Sequence, residues 1–442
     1  MDGSNGAGNG GNRTCGGWLF RLIMIVLLIV VVRGIITHNR QGKTSSQETK
    51  ESSRAETTSA YEPSFTFPSY EPETYTVPSV IVPEGVPVVE YDFYDLERYR
   101  ADLSRALDDR PERICVKGHV FDKMQELYNT EYGAFWVKGF HYYRQDDYSS
   151  GEQEIYLFLN MIYYDLTEGQ IASMKGEIDR AADAILAKIP YGADRWTAAK
   201  VIHEELVTMI TYDHSLMLPH THDLYGALVT HDAVCSAYAS AFYFLMCRLG
   251  YTSEASYSDT HSWNIMAVPA LEQFVDVTWD DPDMWDRYGR PYIKYDYFFL
   301  PYEEVKQIED HDFANYIPMY EFEGYLEDYN YHARQGFYLN SYDRDRILAL
   351  LKTQMDSGTN LLTLRFGNSW DYRRAFLWFD QNCREMNQLL SEIGYREGYY
   401  YWYNDTLQVI SIGLYPPAFT SRDLPSQSSE MHPGGVSGIT ID

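Results

Sequence analysis

Residues 231–251 read HDAVCSAYASAFYFLMCRLGY. Val234, Ala237, Tyr238, Ala241, Leu245 and Leu249 recur at helical spacing, and Gly250 suits the left-handed residue that closes a helix. The pattern predicts a helix starting near Ala233, with Asp232 as N-cap, and stopping at Gly250. Cys235 then lies about two residues inside the N-terminus, where unpaired N–H groups and the helix dipole favour an anion. Cysteine attacks as thiolate, so this is a favourable place for a nucleophile. Small neighbours at Ser236, Ala237, Ala239 and Ser240 leave room for another chain to approach.

Working outward, Ser253 to Ser258, His261 to Val268 and Gln273 to Trp279 read as strands. A cysteine-bearing helix followed by antiparallel strands is an α+β order. The segment THSWNIM carries His261, and FVDVTWDDPD carries Asp276. A hairpin turning at Val268 to Glu272 makes His261 and Asp276 direct cross-strand neighbours. A one-residue slip would put them on opposite faces. Cys235, His261 and Asp276 are therefore the candidate catalytic residues: nucleophile, base, and the group that orients the base.

Upstream, Leu96, Tyr99, Leu103 and Leu107 fit one helical face, and Ile155 to Tyr164 reads as a strand. Thr167 and Gln170 form a capping-box pattern ahead of a helix whose apolar face is Ile171, Met174, Ile178, Ala181 and Ile185. A second helix runs from near Asp194 to about Ile210, followed by the histidine-containing loop DHSLMLPHTHDLYGALVTHDA. Downstream, 331–416 reads as a small α/β accessory module. It has GFYLN, a helix from Asp343, the strand NLLTLRF, a helix from Tyr372 to Ile393 and the strand TLQVISIGL.

The 442 residues carry a net charge of −28, which repels nucleic acid and excludes it as a partner. Tyrosine is abundant, at 40 residues; it suits surfaces that meet polymers or proteins, and it also fills sheets. After a polar segment 1–17, residues 18–37 contain LIMIVLLIVVV with Arg21 and Arg33 near the ends. This is a single-pass membrane anchor, the alternative being a signal peptide. Residues 38–88 are rich in Ser, Thr, Glu and Pro and read as a disordered stalk, and 417–442 as a disordered tail. The basic residues after the apolar run argue for a cytoplasmic C-terminal side.

Taken together, DRWTAAKVIHEELVTMITYD, LYGALVTHDAVCSAYASAFYFLMCRLGY, THSWNIM and FVDVTWDDPD resemble the transglutaminase-like superfamily, with its papain-like fold. They are similar to its bacterial, surface-exported members, and YDYFFLPYEEVKQIEDH is similar to a segment those proteins carry downstream. The resemblance spans about Asp194 to His311. It implies a papain-like core over 89–330, with the nucleophile helix packed on an antiparallel sheet and Cys235, His261 and Asp276 on the family triad. It also implies acyl transfer or hydrolysis of protein or peptide amides, cell-wall peptide among them, by a domain held outside the cell membrane. AVCSAY departs from relatives that have Gly before the Val and an acidic residue or Gln after the Cys, which bears on substrate preference. The backbone N–H of Cys235 is the one oxyanion donor the resemblance supports.

Five cysteines in no zinc-like spacing point to no metal, and no cofactor is indicated. Cys115, Cys247 and Cys383 read as core, and Trp263 and Trp279 as core or as a shield around the triad. His203 reads as a helix-face residue and His311 as structural. His214, His220, His222 and His231 lie in a polar loop without metal spacing. Asp280, Asp281 and Asp283 read as solvated turn carboxylates rather than a calcium site. The competing function is a catalytically silent binding or adhesion scaffold on the same fold. Substrate, acyl acceptor and oligomeric state are not legible.

Overall fold

The computed structural model describes residues 79–92, 95–118, 129–258, 260–268, 271–308, 311, 330–416 and 436–439. The segments 1–17 and 18–37, most of the stalk and most of the tail lie outside them. Among the described residues no helix is long and apolar enough to cross a membrane.

The architecture is α+β, with helices set against separate sheets. The first sheet has the order β1 (Val88–Glu90), β2 (Arg113–Gly118), β4 (Glu154–Tyr163), β3 (Val137–Asp147). Helix α1 (Leu96–Asp108) makes the crossover between the parallel strands β1 and β2, burying Tyr99, Leu103 and Leu107. The end of the expected stalk belongs to this sheet: Val80, Val82 and Val86 pack on Cys115, Tyr156 and Phe158. The Val80 N–H donates to Asp147 Oδ2 at 2.8 Å. Val80 and Val82 share one side of this extended run and Val86 joins them beyond the turn at Glu84–Gly85, a packing signal that the proline content masked.

Two helices follow as read. In α2 (Glu168–Leu186) Thr167 and Gln170 form the reciprocal capping box, and α3 (Arg195–Met209) is capped by Asp194. The chain then makes β5 (Thr211–Tyr212), a single π-helical stretch at Gly226–Thr230, and β6 (Asp232–Ala233), which pairs parallel with β5. Gly226 is packed against the His220 carbonyl so closely that a side chain there would collide with backbone.

Helix α4, which opens with Cys235, spans Cys235–Arg248 and is capped by Val234 without a side-chain bond. This corrects the expected start: Asp232 and Ala233 are held extended by β5, so the helix cannot begin before Cys235. Its other end is as read, with Gly250 at φ 78° and its N–H on the Cys247 carbonyl. Helix α4 packs on the second sheet. That sheet is fully antiparallel, in the order β10 (Phe298–Pro301), β9 (Leu271–Val275), β8 (Ser262–Val268), β7 (Ser253–Tyr257). The expected strand to Trp279 stops at Val275, because Asp276 caps a helical turn α5 (Val277–Asp280).

A third sheet holds β11 (Tyr338–Leu339), β12 (Leu361–Phe366), β14 (Val409–Leu414), β13 (Tyr399–Asn404) and β15 (Val436–Ile439), in that order. Two expectations change here. The helix expected over 372–393 is broken into Ser369–Phe376 and Asp380–Glu392 by a tighter turn, Leu377–Phe379. At that turn Trp378 is buried and Phe379 stacks on Tyr401 at 3.8 Å. Residues 436–439, within the expected tail, pair antiparallel with β13. The module also shares apolar packing with the second sheet: Leu407 and Val409 cluster with Trp263, Phe274 and Trp279.

Candidate active site

His261 and Asp276 meet although neither lies inside its strand. The hairpin pairs Asn264 with Val275 and Val268 with Leu271. Extended by one residue, that register sets Trp263, not His261, opposite Asp276. The offset from the expected pairing is two residues, which preserves the shared face. His261 just precedes β8 and reaches diagonally, placing Nε2 at 2.6 Å from Asp276 Oδ2. Its ring stacks on Trp279 at 4.7 Å.

Three donors converge on the buried Asp276 carboxylate. Oδ2 accepts from Nε2 of His261 and from Nε2 of His311, the latter at 3.0 Å, while Oδ1 accepts the Trp279 N–H at 3.1 Å. Burial opposes the Asp276 charge, but His261 and His311 overcome it and hold the carboxyl below its usual range. Burial likewise opposes an imidazolium at His261; Asp276 and then Cys235 outweigh it, raising its pKa to about 10.

Cys235 is the first residue of α4 and is partly exposed. Its side chain acts electrostatically on the His261 ring and favours the imidazolium. With Nε2 turned to Asp276, Nδ1 is the ring nitrogen open to the sulfur. Tyr212, on β5, comes to the same place: its hydroxyl feels the Cys235 backbone N–H as well as the Cys235 and Asp276 side chains. Burial, followed by the charges of Cys235 and Asp276, pushes Tyr212 up to about 12, so it stays protonated and can donate.

Other residues fall differently from their sequence reading. Cys115 and Cys383 are buried as expected, but Cys247, in the last turn of α4, is exposed. His203 is fully buried, not on a helix face, with Nε2 3.1 Å from Asp280 Oδ2. Asp280 and Asp281 are buried rather than solvated. Burial pushes Asp281 up to about 7, opposed by the Tyr238 hydroxyl that donates to it at 2.7 Å. His220 is paired with Asp223 at 2.7 Å. His261, Asp276 and His311 also form a group whose ligand atoms all lie within 4.8 Å and could hold a metal ion. Two atoms on one tetrahedral zinc would stand about 3.3 Å apart. The 2.6 and 3.0 Å separations are instead those of hydrogen bonds.

The sequence reading missed Tyr212 and the role of His311. Tyr212 carries a local signal, since MITYD immediately precedes the loop leading to Cys235. His311 carries none: 35 residues separate it from Asp276.

No protein-family model matches this chain, and no curated protein matches it. Among solved structures it is similar to a TGase, at 12% identity over 44% of this chain and 60% of that one, with a TM-score of 0.23. It is similar to menin, in the structure that reveals the binding site for the Mixed Lineage Leukemia protein, at 19% identity over 29% and 30% of the chains and a TM-score of 0.22. It is also similar to a Parabacteroides distasonis protein ascribed protease activity, at 9% identity over 37% and 39% and a TM-score of 0.19. The matched part spans less than two thirds of each of these chains.

Proposed function

We propose that this chain is a transglutaminase-like cysteine enzyme on a papain-like core, acting on protein or peptide amides. The observation that carries the reading is the His261 ring held by Asp276 at 2.6 Å, with Cys235 as the further group that favours its imidazolium. In this reading the Cys235 thiolate attacks a carboxamide or peptide carbonyl carbon. The tetrahedral oxyanion accepts hydrogen bonds from the Cys235 N–H and the Tyr212 hydroxyl. The His261 imidazolium protonates the leaving amine, and a thioester remains on Cys235. His261, now neutral, takes a proton from the second nucleophile as it attacks the thioester. An amine gives cross-linking, and water gives hydrolysis. Asp276 keeps the ring oriented and its charge stabilised throughout. The N-terminal apolar segment would tether the domain to the outer face of a cell membrane, facing protein or cell-wall peptide.

The test is labelling with a chloroacetamide probe, read by peptide mapping, because Cys247 is also exposed. In a Cys247→Ser background, label on the Cys235 peptide that is lost in Cys235→Ala is the expected result. Glutamine peptides should release ammonia, or take up an added amine, only when Cys235 is present. An unlabelled Cys235 together with no turnover would count for the binding-scaffold alternative.

A further inference from the structure

Leu216, Met217 and Leu218 are three consecutive apolar residues on the surface, 55, 83 and 44% exposed. A single exposed leucine needs no explanation, but a run of three in a loop does. The loop is held in shape. Asp213 Oδ1 accepts from the Ser215 N–H at 2.9 Å and its hydroxyl at 2.5 Å, and Oδ2 accepts the Leu218 N–H at 3.2 Å. Leu216 adopts φ 56°, a conformation leucine rarely takes.

Both ends of the loop are fastened beside Cys235. The Asp213 N–H donates to the Ala233 carbonyl at 3.0 Å, and the Val234 N–H donates to the Thr221 carbonyl at 2.8 Å. Past the cysteine, the Ser236 hydroxyl donates to the His222 carbonyl at 3.1 Å. The apolar run is thus at most a few residues from backbone that grips Cys235 on either side.

From this we propose that loop 213–222 recognises substrate, and that Leu216, Met217 and Leu218 receive apolar side chains of a peptide beside the residue being attacked. The inference deepens the cysteine-enzyme reading and rests on it. An anionic lipid surface would need basic neighbours. Between Tyr212 and Cys247 there is no lysine or arginine, and Asp213 and Asp223 are buried and hydrogen-bonded within the loop. A patch that is apolar and has no cation beside it suits large uncharged side chains of a peptide.

The experiment measures fluorescence anisotropy of two labelled decapeptides with the full chain carrying Cys235→Ala. One peptide has glutamine flanked by leucine and phenylalanine, the other by serine. The apolar peptide should bind about tenfold more tightly or better, a modest return for covering one or two such side chains. The triple change Leu216→Ser, Met217→Ser, Leu218→Ser should erase the preference, and Met217→Leu alone should keep it. Thermal unfolding checks that the triple variant folds. Equal binding of both peptides, or an unchanged preference in the folded triple variant, overturns the proposal. So does loop-dependent binding to phosphatidylglycerol vesicles without any preference between the peptides. Failure of the enzyme reading shows separately, as absent turnover by the unsubstituted chain.

Discussion

His311 stands 3.0 Å from Asp276, on the very oxygen that His261 approaches at 2.6 Å. A carboxylate shared by two imidazoles and a backbone N–H has little freedom to rotate. We expect His311→Gln to lower kcat by about 10- to 100-fold, with KM within about twofold, since only the aim of His261 changes. Asp276→Asn should cost about 10⁴-fold. Steady-state kinetics on a glutamine peptide separates the two; a His311 variant that alters KM alone would deny it a positioning role.

Tyr212→Phe removes one hydroxyl from beside the Cys235 N–H. If that hydroxyl meets the oxyanion, kcat should drop about 100-fold while chloroacetamide labelling of Cys235 keeps its rate. Equal losses in both measurements would mean that Tyr212 acts on the sulfur instead.

The buried His261–Asp276 pair makes stability depend on pH. The His261 pKa rises from 6.5 to about 10 on folding, so its contribution is complete below 6.5 and disappears as pH climbs through about 10. Asp276 is shifted below 3.8, so its contribution is complete above that value and fades in stronger acid. The melting temperature should therefore decline from pH 7 to 10 in the native chain, and less steeply in Asp276→Asn. Parallel curves would refute the linkage.

Asp281 behaves in the opposite sense. Its carboxyl is pushed up to about 7, so the penalty on the folded state builds as pH rises from 3.8 to about 7 and is complete above that. Asp281→Asn keeps an acceptor for Tyr238 and removes the charge. It should raise the melting temperature by on the order of 3 °C at pH 8.5, by less at pH 5, and leave it nearly unchanged at about pH 3.5. Calorimetry at the three pH values provides the check.

Local signals were readable where local physics decides. The capping box at Thr167, the cap at Asp194 and the closing glycine at 250 all stand as read. Periodicity found the face of α1 and the hairpin carrying His261. Non-local pairing hid the rest. Nothing within α4 reveals that β5 holds Asp232 and Ala233 extended and delays the helix to Cys235. Nothing near His203 announces Asp280, which is 77 residues away. The hairpin register was two residues off because its ends, not its middle, bear the chemistry: Asp276 leaves the strand to cap a turn. The strand at 399–404, YYYWYN, went unread because it shows no alternation; its ladder with 409–414 is what defines it.

Leu407 and Val409 belong to the same apolar cluster as Trp263 and Trp279, the tryptophans flanking the His261 ring. The C-terminal module therefore backs the pocket that holds the His261 ring. A protein shortened to end near residue 330 would leave those indoles facing water. It would be sticky and slack at the one place where an imidazole must be held still.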